Sequence, residues 1–126
     1  MSSLTVSHSG TEHQEWLQAI DFYKSEFDLL QKRLAEIVSK NTSHEALEGV
    51  EHFQNQFIVQ RNNIDELRHN INEHVHKVKL DAERHSNQIE EERMTEHEKL
   101  KDEFSVFEKV VKELRQEFNA YLTKWM

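Results

Sequence analysis

A row of apolar residues in the stretch from Ala46 to Val78 constrains the fold of this chain more than any other feature. The row recurs at alternating steps of three and four residues, as Val50, Phe53, Phe57, Ile64, Leu67, Ile71 and Val78. This period is that of a helix, because side chains on a strand alternate at every second residue. Only Gln60 and His74 interrupt the row. A helix with one narrow apolar stripe has to pack that stripe against other helices.

The chain supplies two such partner helices. One row precedes the stretch, as His13, Trp16, Ile20, Tyr23, Phe27, Leu30, Leu34 and Ile37, and another follows it, as His97, Leu100, Phe104, Phe107, Val111, Leu114, Phe118, Tyr121 and Trp125. The third row is out of phase with the second, so a single helix through both would turn its stripe away from the core. We therefore expect an all-α fold of three long antiparallel helices, up-down-up, with a heptad, coiled-coil-like core.

Capping residues predict where the first helix begins. Thr11 followed three residues later by Gln14 has the pattern of a capping box, in which each side chain bonds to a backbone N–H of the other residue. We therefore expect a flexible lead over residues 1–10 and a single helical-bundle domain over residues 11–126.

Similar signals predict the two reversals of the chain. Residues 41–43 are Asn, Thr and Ser, which favour turns, and a link this short forces the flanking helices to pack antiparallel. The second reversal is expected between Asp81 and Asn87, where apolar residues are sparse and Asn87 forms another capping box with Glu90.

The composition argues against several classes of function. The net charge is −8 and no basic stripe is present, so we do not expect nucleic-acid binding. No apolar run approaches the roughly 20 residues that span a bilayer, so we expect no membrane segment. The absence of cysteine is compatible with a reducing cytoplasm, which is the expected location. No strained loop presents a nucleophile to a histidine and an acid, so we do not expect an enzyme.

Three of the nine histidines stand on the apolar rows, one on each helix: His13, His74 and His97. We call these three residues the histidine trio. In straight antiparallel helices His13 and His97 lie level with about residues 72 and 71 of the second helix, respectively, so the trio should share one core layer. Three converging imidazoles predict a site for Zn²⁺ or another divalent transition metal. The candidates for a fourth or second-shell ligand are Glu12, Glu73 and Glu96.

Two other interpretations of the histidines stay open. The end of a bundle tolerates polar core residues, and buried imidazoles can satisfy one another, or bond to glutamate or water, without any metal. The stripe of His69, Glu73 and His76 on the second helix also has metal-like spacing, although its positions should face solvent.

The middle of the second row contains a buried amide, that of Gln60. An unpaired buried amide costs about 1–3 kcal/mol, so we expect a hydrogen bond between Gln60 and the Tyr23 hydroxyl at the same height.

Large apolar residues outside the rows predict an interface. They are expected at similar heights on the first two helices, as Phe22, Leu29, Ile58 and Val59. Exposed apolar groups in one band favour a homodimer, or docking of another helical protein, over scattered surface residues without a role. The leading functional interpretation is therefore a soluble, self-associating bundle that acts as a binding or structural module. The alternative is a metal-binding bundle used for storage, sensing or simple hydrolytic chemistry.

Four strings carry a resemblance to a known group of proteins: FYKSEF from Phe22, RLAEIVSKNT from Arg33, EHFQNQF from Glu51 and YLTKWM from Tyr121. Together they resemble a small all-helical family of bacterial proteins that has no known activity or ligand. The resemblance implies a bacterial origin and assigns no role to any residue.

Overall fold

The computed structural model describes residues 6–84 and 91–125, and over these ranges the chain forms three long α-helices and no strand. Helix α1 spans Val6–Lys40, α2 spans His44–Arg84 and α3 spans Glu91–Trp125. Only residues 41–43 join α1 to α2. The end of α1 lies beside the end of α3, where the Asn41 side-chain amide donates to the Trp125 carbonyl at 3.1 Å. The predicted all-α, up-down-up arrangement is therefore confirmed.

Helix α1 begins five residues before the predicted start at Thr11. Residues 6–10, which the sequence assigns to the lead, belong to this helix, whereas residues 1–5 lie outside the described part of the chain. Val6 lies one heptad before His13, so the helical spacing continues upstream of Thr11. The glycine at position 10 costs about 1 kcal/mol in a helix, which does not end the helix by itself.

The second reversal lies between the described ends of α2 and α3. Helix α2 ends at Arg84, inside the predicted window from Asp81 to Asn87, and α3 begins at Glu91. The capping box of Asn87 with Glu90 lies outside the described residues.

The three predicted rows form the core. Every member of the first row is buried, and the second and third rows are buried except at the end of the bundle near the α1–α2 turn, where Val50, Tyr121 and Trp125 are partly exposed. At this end the Tyr121 ring lies on Gly49 and its hydroxyl donates to the Ala46 carbonyl. None of the described helices combines the length and apolar character that a membrane-spanning helix needs.

The hydrogen bond predicted between Gln60 and Tyr23 is wrong. The Tyr23 hydroxyl donates to the Glu108 carboxylate on α3 at 2.6 Å. The side-chain amide oxygen of Gln60 accepts from the Asn63 side chain at 3.2 Å. A carboxylate is a stronger acceptor than a neutral amide, so the hydroxyl turns to the edge of the core.

Candidate metal centre

The structure brings the histidine trio together at the end of the bundle away from the α1–α2 turn. His13, His74 and His97 expose only 4%, 3% and 1% of their surface. One ring nitrogen of each lies within 4.8 Å of a ring nitrogen of each of the other two. The shared layer inferred from heptad spacing is thus present in the fold.

Aromatic rings fix how the trio packs. The His13 ring stands perpendicular to that of His74, with centroids 4.9 Å apart, and the centroids of His13 and His97 are 5.1 Å apart. The centroid of the Trp16 ring lies 4.9 Å from that of His97 and 5.5 Å from that of His13. The Trp16 ring also stacks on Phe104 in the apolar core. Trp16 therefore closes the side of the trio that faces the middle of the bundle.

Two of the three predicted glutamates face the trio. Glu96 on α3 places a carboxylate oxygen 3.3 Å from Nδ1 of His74, and Glu12 on α1 places one 3.3 Å from Nε2 of His97. An ionised carboxylate only accepts hydrogen bonds, so Nδ1 of His74 carries the proton that it shares with Glu96, and Nε2 of His74 then holds a lone pair. Nε2 of His97 lies near the Glu12 carboxylate but forms no hydrogen bond in the described part of the chain. Pairing of a carboxylate with the far side of a histidine is the usual support of a metal-ligating imidazole.

The spacing of the ring nitrogens suits a small metal ion. Nε2 of His13 lies 3.2 Å from Nδ1 of His97. In a tetrahedral zinc site with bonds of about 2.0–2.1 Å, two ligand nitrogens are separated by about 3.3 Å. Without metal, one shared proton gives a hydrogen bond between these two nitrogens. Nε2 of His74, however, is buried and has no hydrogen-bond partner in the described ranges.

Glu73 does not join this group, in contrast to the prediction. Its side chain is largely exposed and pairs with His69 at 3.5 Å. Helix α2 runs opposite to α1 and α3, so Glu73, which precedes His74, lies toward the α2–α3 groove. Glu96 already occupies that groove beside His74. The exposed stripe of His69, Glu73 and His76 forms no ligand cluster. Among the side chains of residues 10–84 and 91–125, the trio is the one set of three potential ligands close enough to hold an ion.

Arg93 and Asp81 are functional candidates that the sequence did not reveal. Both are buried, and Nε of Arg93 lies 3.4 Å from Oδ2 of Asp81. The Arg93 guanidinium also binds the Glu96 carboxylate, so it holds in place the group that orients His74. Their spacing could have placed them on the core face, because Asp81 lies one heptad after His74 and Arg93 lies one turn before His97.

The surroundings of His13 and His74 favour the neutral, ligand form of these two residues. Burial, followed by the nearby His74 and His97, lowers the pKa of His13 from 6.5 to about 4. Burial also lowers the pKa of His74, although Glu96 opposes the shift. Burial alone would raise the pKa of Glu96, but the hydrogen bonds from His74 and Arg93 prevail and lower it. At neutral pH, His13 and His74 are therefore uncharged and Glu96 is ionised.

The residues of the predicted interface are all exposed, by 59%, 54%, 50% and 48% for Phe22, Leu29, Ile58 and Val59. Phe22 lies one turn before Glu26, which pairs with Arg115 of α3 at 2.8 Å. Ile58 lies one turn before Arg61, which reaches across to Asp28 of α1. Phe22 therefore lies beside the α1–α3 groove and Ile58 beside the α1–α2 groove. An interface that includes all four residues stays a prediction.

Comparison of the chain with protein-family models, with curated proteins and with solved structures found no match in any of the three. The function therefore has to be inferred from the geometry of the histidine trio and its neighbours.

Proposed function

We propose that this protein binds one divalent transition-metal ion, with Zn²⁺ as the reference ion, through the histidine trio. The observation that carries the proposal is the Nε2 atom of His74, a buried acceptor without a hydrogen-bond partner in the described chain. A buried polar atom without a hydrogen-bond partner is costly. A metal ion would satisfy this lone pair together with those of His13 and His97.

The charge around the site supports a cation. Three neutral imidazoles leave the charge of the ion uncompensated, and the carboxylates of Glu12 and Glu96 stand directly behind two of the rings. They supply negative charge without displacing a nitrogen ligand.

The three ligands come from three different helices, so an ion would tie together the whole end of the bundle. Binding to the folded state alone stabilises that state by mass action. We therefore infer a metal-responsive bundle, in which occupancy of the site sets how firmly this end is closed.

Calorimetric titration with Zn²⁺ at pH 7.5, on protein prepared without a polyhistidine tag, tests the proposal. We expect one ion per chain, and we expect His74→Gln to weaken binding at least about 100-fold through the loss of one ligand. His52→Gln is the matched control, because His52 is exposed and lies near Glu117, away from the trio. Absence of binding by the wild type, or equal losses in the two variants, would contradict the proposal.

We propose a self-associating bundle as the second candidate function, with a second copy of the chain as the partner. Val106 and Val110 are exposed by 63% and 37% beside a cleft of about 270 Å³ between α2 and α3, which Leu67 and Phe107 also line. Burial of this apolar surface would favour association.

Sedimentation at high micromolar concentration tests association. The wild type should exceed the monomer mass, and Val106→Glu should shift it toward monomer with unchanged helicity. Phe22→Glu, on another groove, should leave the mass unchanged. A wild type that stays monomeric would contradict this second function. If Phe22→Glu lowers the mass and Val106→Glu does not, the interface lies on α1 and not beside Val106.

A further inference from the structure

We infer that a metal ion on the histidine trio keeps one coordination position open toward the groove between α1 and α2, where a small monodentate anion binds in exchange with water. This inference rests on the proposed metal site and adds a ligand class to it. Three protein nitrogens on a tetrahedral ion leave a fourth position, as in zinc sites that bind water or substrate.

The nearby carboxylates are not available for that fourth position. Glu12 faces Nε2 of His97, opposite the ring nitrogen that contacts His13, and Glu96 faces Nδ1 of His74, opposite its lone pair. Glu96 is also held by Arg93 and lies 3.6 Å from Lys77. Among the side chains of residues 10–84 and 91–125, no fourth histidine, aspartate or glutamate joins the trio at ligand distance.

Side chains cover the trio on three sides. Glu12 lies in the α1–α3 groove, Glu96 with Lys77 lies in the α2–α3 groove, and Trp16 covers the side toward the middle of the bundle. The α2–α3 groove contains a cleft of about 270 Å³, but Glu96 binds the His74 nitrogen on that side.

The α1–α2 groove differs, because a cleft of about 330 Å³ reaches His13 there. Its walls include Val75, Val78 and Ala82, and it touches Gly10 one turn before His13. A water molecule occupies about 30 Å³ of liquid volume, so the cleft has room for several waters or a small anion. Lys79 and Glu83 complete its lining, so a cation and an anion stand beside the apolar residues.

Two positions allow this cleft to be filled without altering a metal ligand. Side chains on a helix lean toward its N-terminus, so a large side chain at Ala82 of α2 would lean toward Val78 and the level of the trio. A Cβ atom at Gly10 would meet no atom of the described chain within 4 Å, apart from its own neighbours in α1, so that position also has space. Lys99 lines the opposite cleft, between α2 and α3, and serves as the matched control.

The test uses Co²⁺, whose visible spectrum reports its coordination, and azide as the small anion. Azide should change the spectrum of the Co²⁺-loaded wild type and saturate at one azide per ion. Ala82→Phe should weaken azide binding about tenfold while Co²⁺ affinity stays within about twofold. Lys99→Phe should leave both affinities unchanged. If Ala82→Phe does not fold, Gly10→Leu takes its place with the same expected result.

The possible failures are distinguishable. If Co²⁺ binds and azide leaves the spectrum unchanged, the coordination shell is closed and this inference is overturned, whereas the metal site stands. If Lys99→Phe weakens azide binding and neither cleft-filling variant does, the open position faces α2–α3 and the inference is equally overturned. If Co²⁺ does not bind at all, the proposed function fails and this inference fails with it.

Discussion

At the scale of single residues, burial decides the protonation of His13. Burial and then its histidine neighbours lower its folded-state pKa to about 4, whereas an unfolded histidine titrates near 6.5. A group with a lowered folded pKa contributes stability that is fully present above the unfolded pKa. Protonation of the unfolded chain removes that contribution progressively as the pH falls from about 6.5 toward about 4.

Replacement of His13 by glutamine, which does not titrate, tests this contribution. Between pH 6.5 and 4.5, the unfolding free energy of the metal-free wild type should fall by about 2 kcal/mol more than that of His13→Gln. Urea denaturation across this range measures the difference. His52→Gln should follow the wild type, because His52 is exposed. Parallel curves for the wild type and His13→Gln would show that the fold does not oppose protonation at this position.

At the scale of the helices, the two glycines have opposite surroundings. Gly10 in α1 has open space where a Cβ would lie, whereas a Cβ on Gly49 in α2 would overlap the Tyr121 ring of α3, at 2.8 Å from Cζ. Alanine is a better helix former than glycine by about 1 kcal/mol. Whether replacing a glycine by alanine raises or lowers the stability therefore depends on how closely the neighbouring helix approaches.

We expect Gly10→Ala to stabilise the protein by about 0.5–1 kcal/mol and Gly49→Ala to destabilise it by about 1–3 kcal/mol. Gly49→Ala should cost less in the Tyr121→Leu background than in the wild type, because the overlapping ring is removed. Chemical denaturation of the four variants, with Tyr121→Leu as the fourth, measures these values. Stabilisation by Gly49→Ala would mean that α2 and α3 do not approach closely at this end.

The helical patterns predicted the trio but not all of its surroundings. The heptad position of a residue gives the helix face on which it lies, and its distance from the turn gives its height along the bundle. His13, His74 and His97 could therefore be placed in one layer from the sequence. The three glutamates looked equivalent, and only the direction of each helix around the bundle separates Glu73 from the other two. Arg93 and Asp81 were missed because a buried charge depends on a partner from another helix, and spacing along one helix does not identify that partner.

At the scale of the whole molecule, the two ends of the bundle are held differently. Near the α1–α2 turn, two side chains of α3 bind the start of α2. The Tyr121 hydroxyl donates to the Ala46 carbonyl, and the Lys124 ammonium forms an ion pair with Glu45 at 2.8 Å. The other end contains the histidine trio, whose members come one from each helix. A metal ion there would act on the least apolar part of the core and on all three helices at once.

Zinc X-ray absorption spectroscopy tests this account most directly, because it counts the ligands of the bound ion. Protein loaded with one Zn²⁺ per chain should show three imidazole nitrogens and one further light atom at about 2.0–2.1 Å. His74→Gln should lower the number of imidazoles to two or release the zinc. A first shell built from oxygen atoms, or from no more than one imidazole, would contradict the three-histidine site.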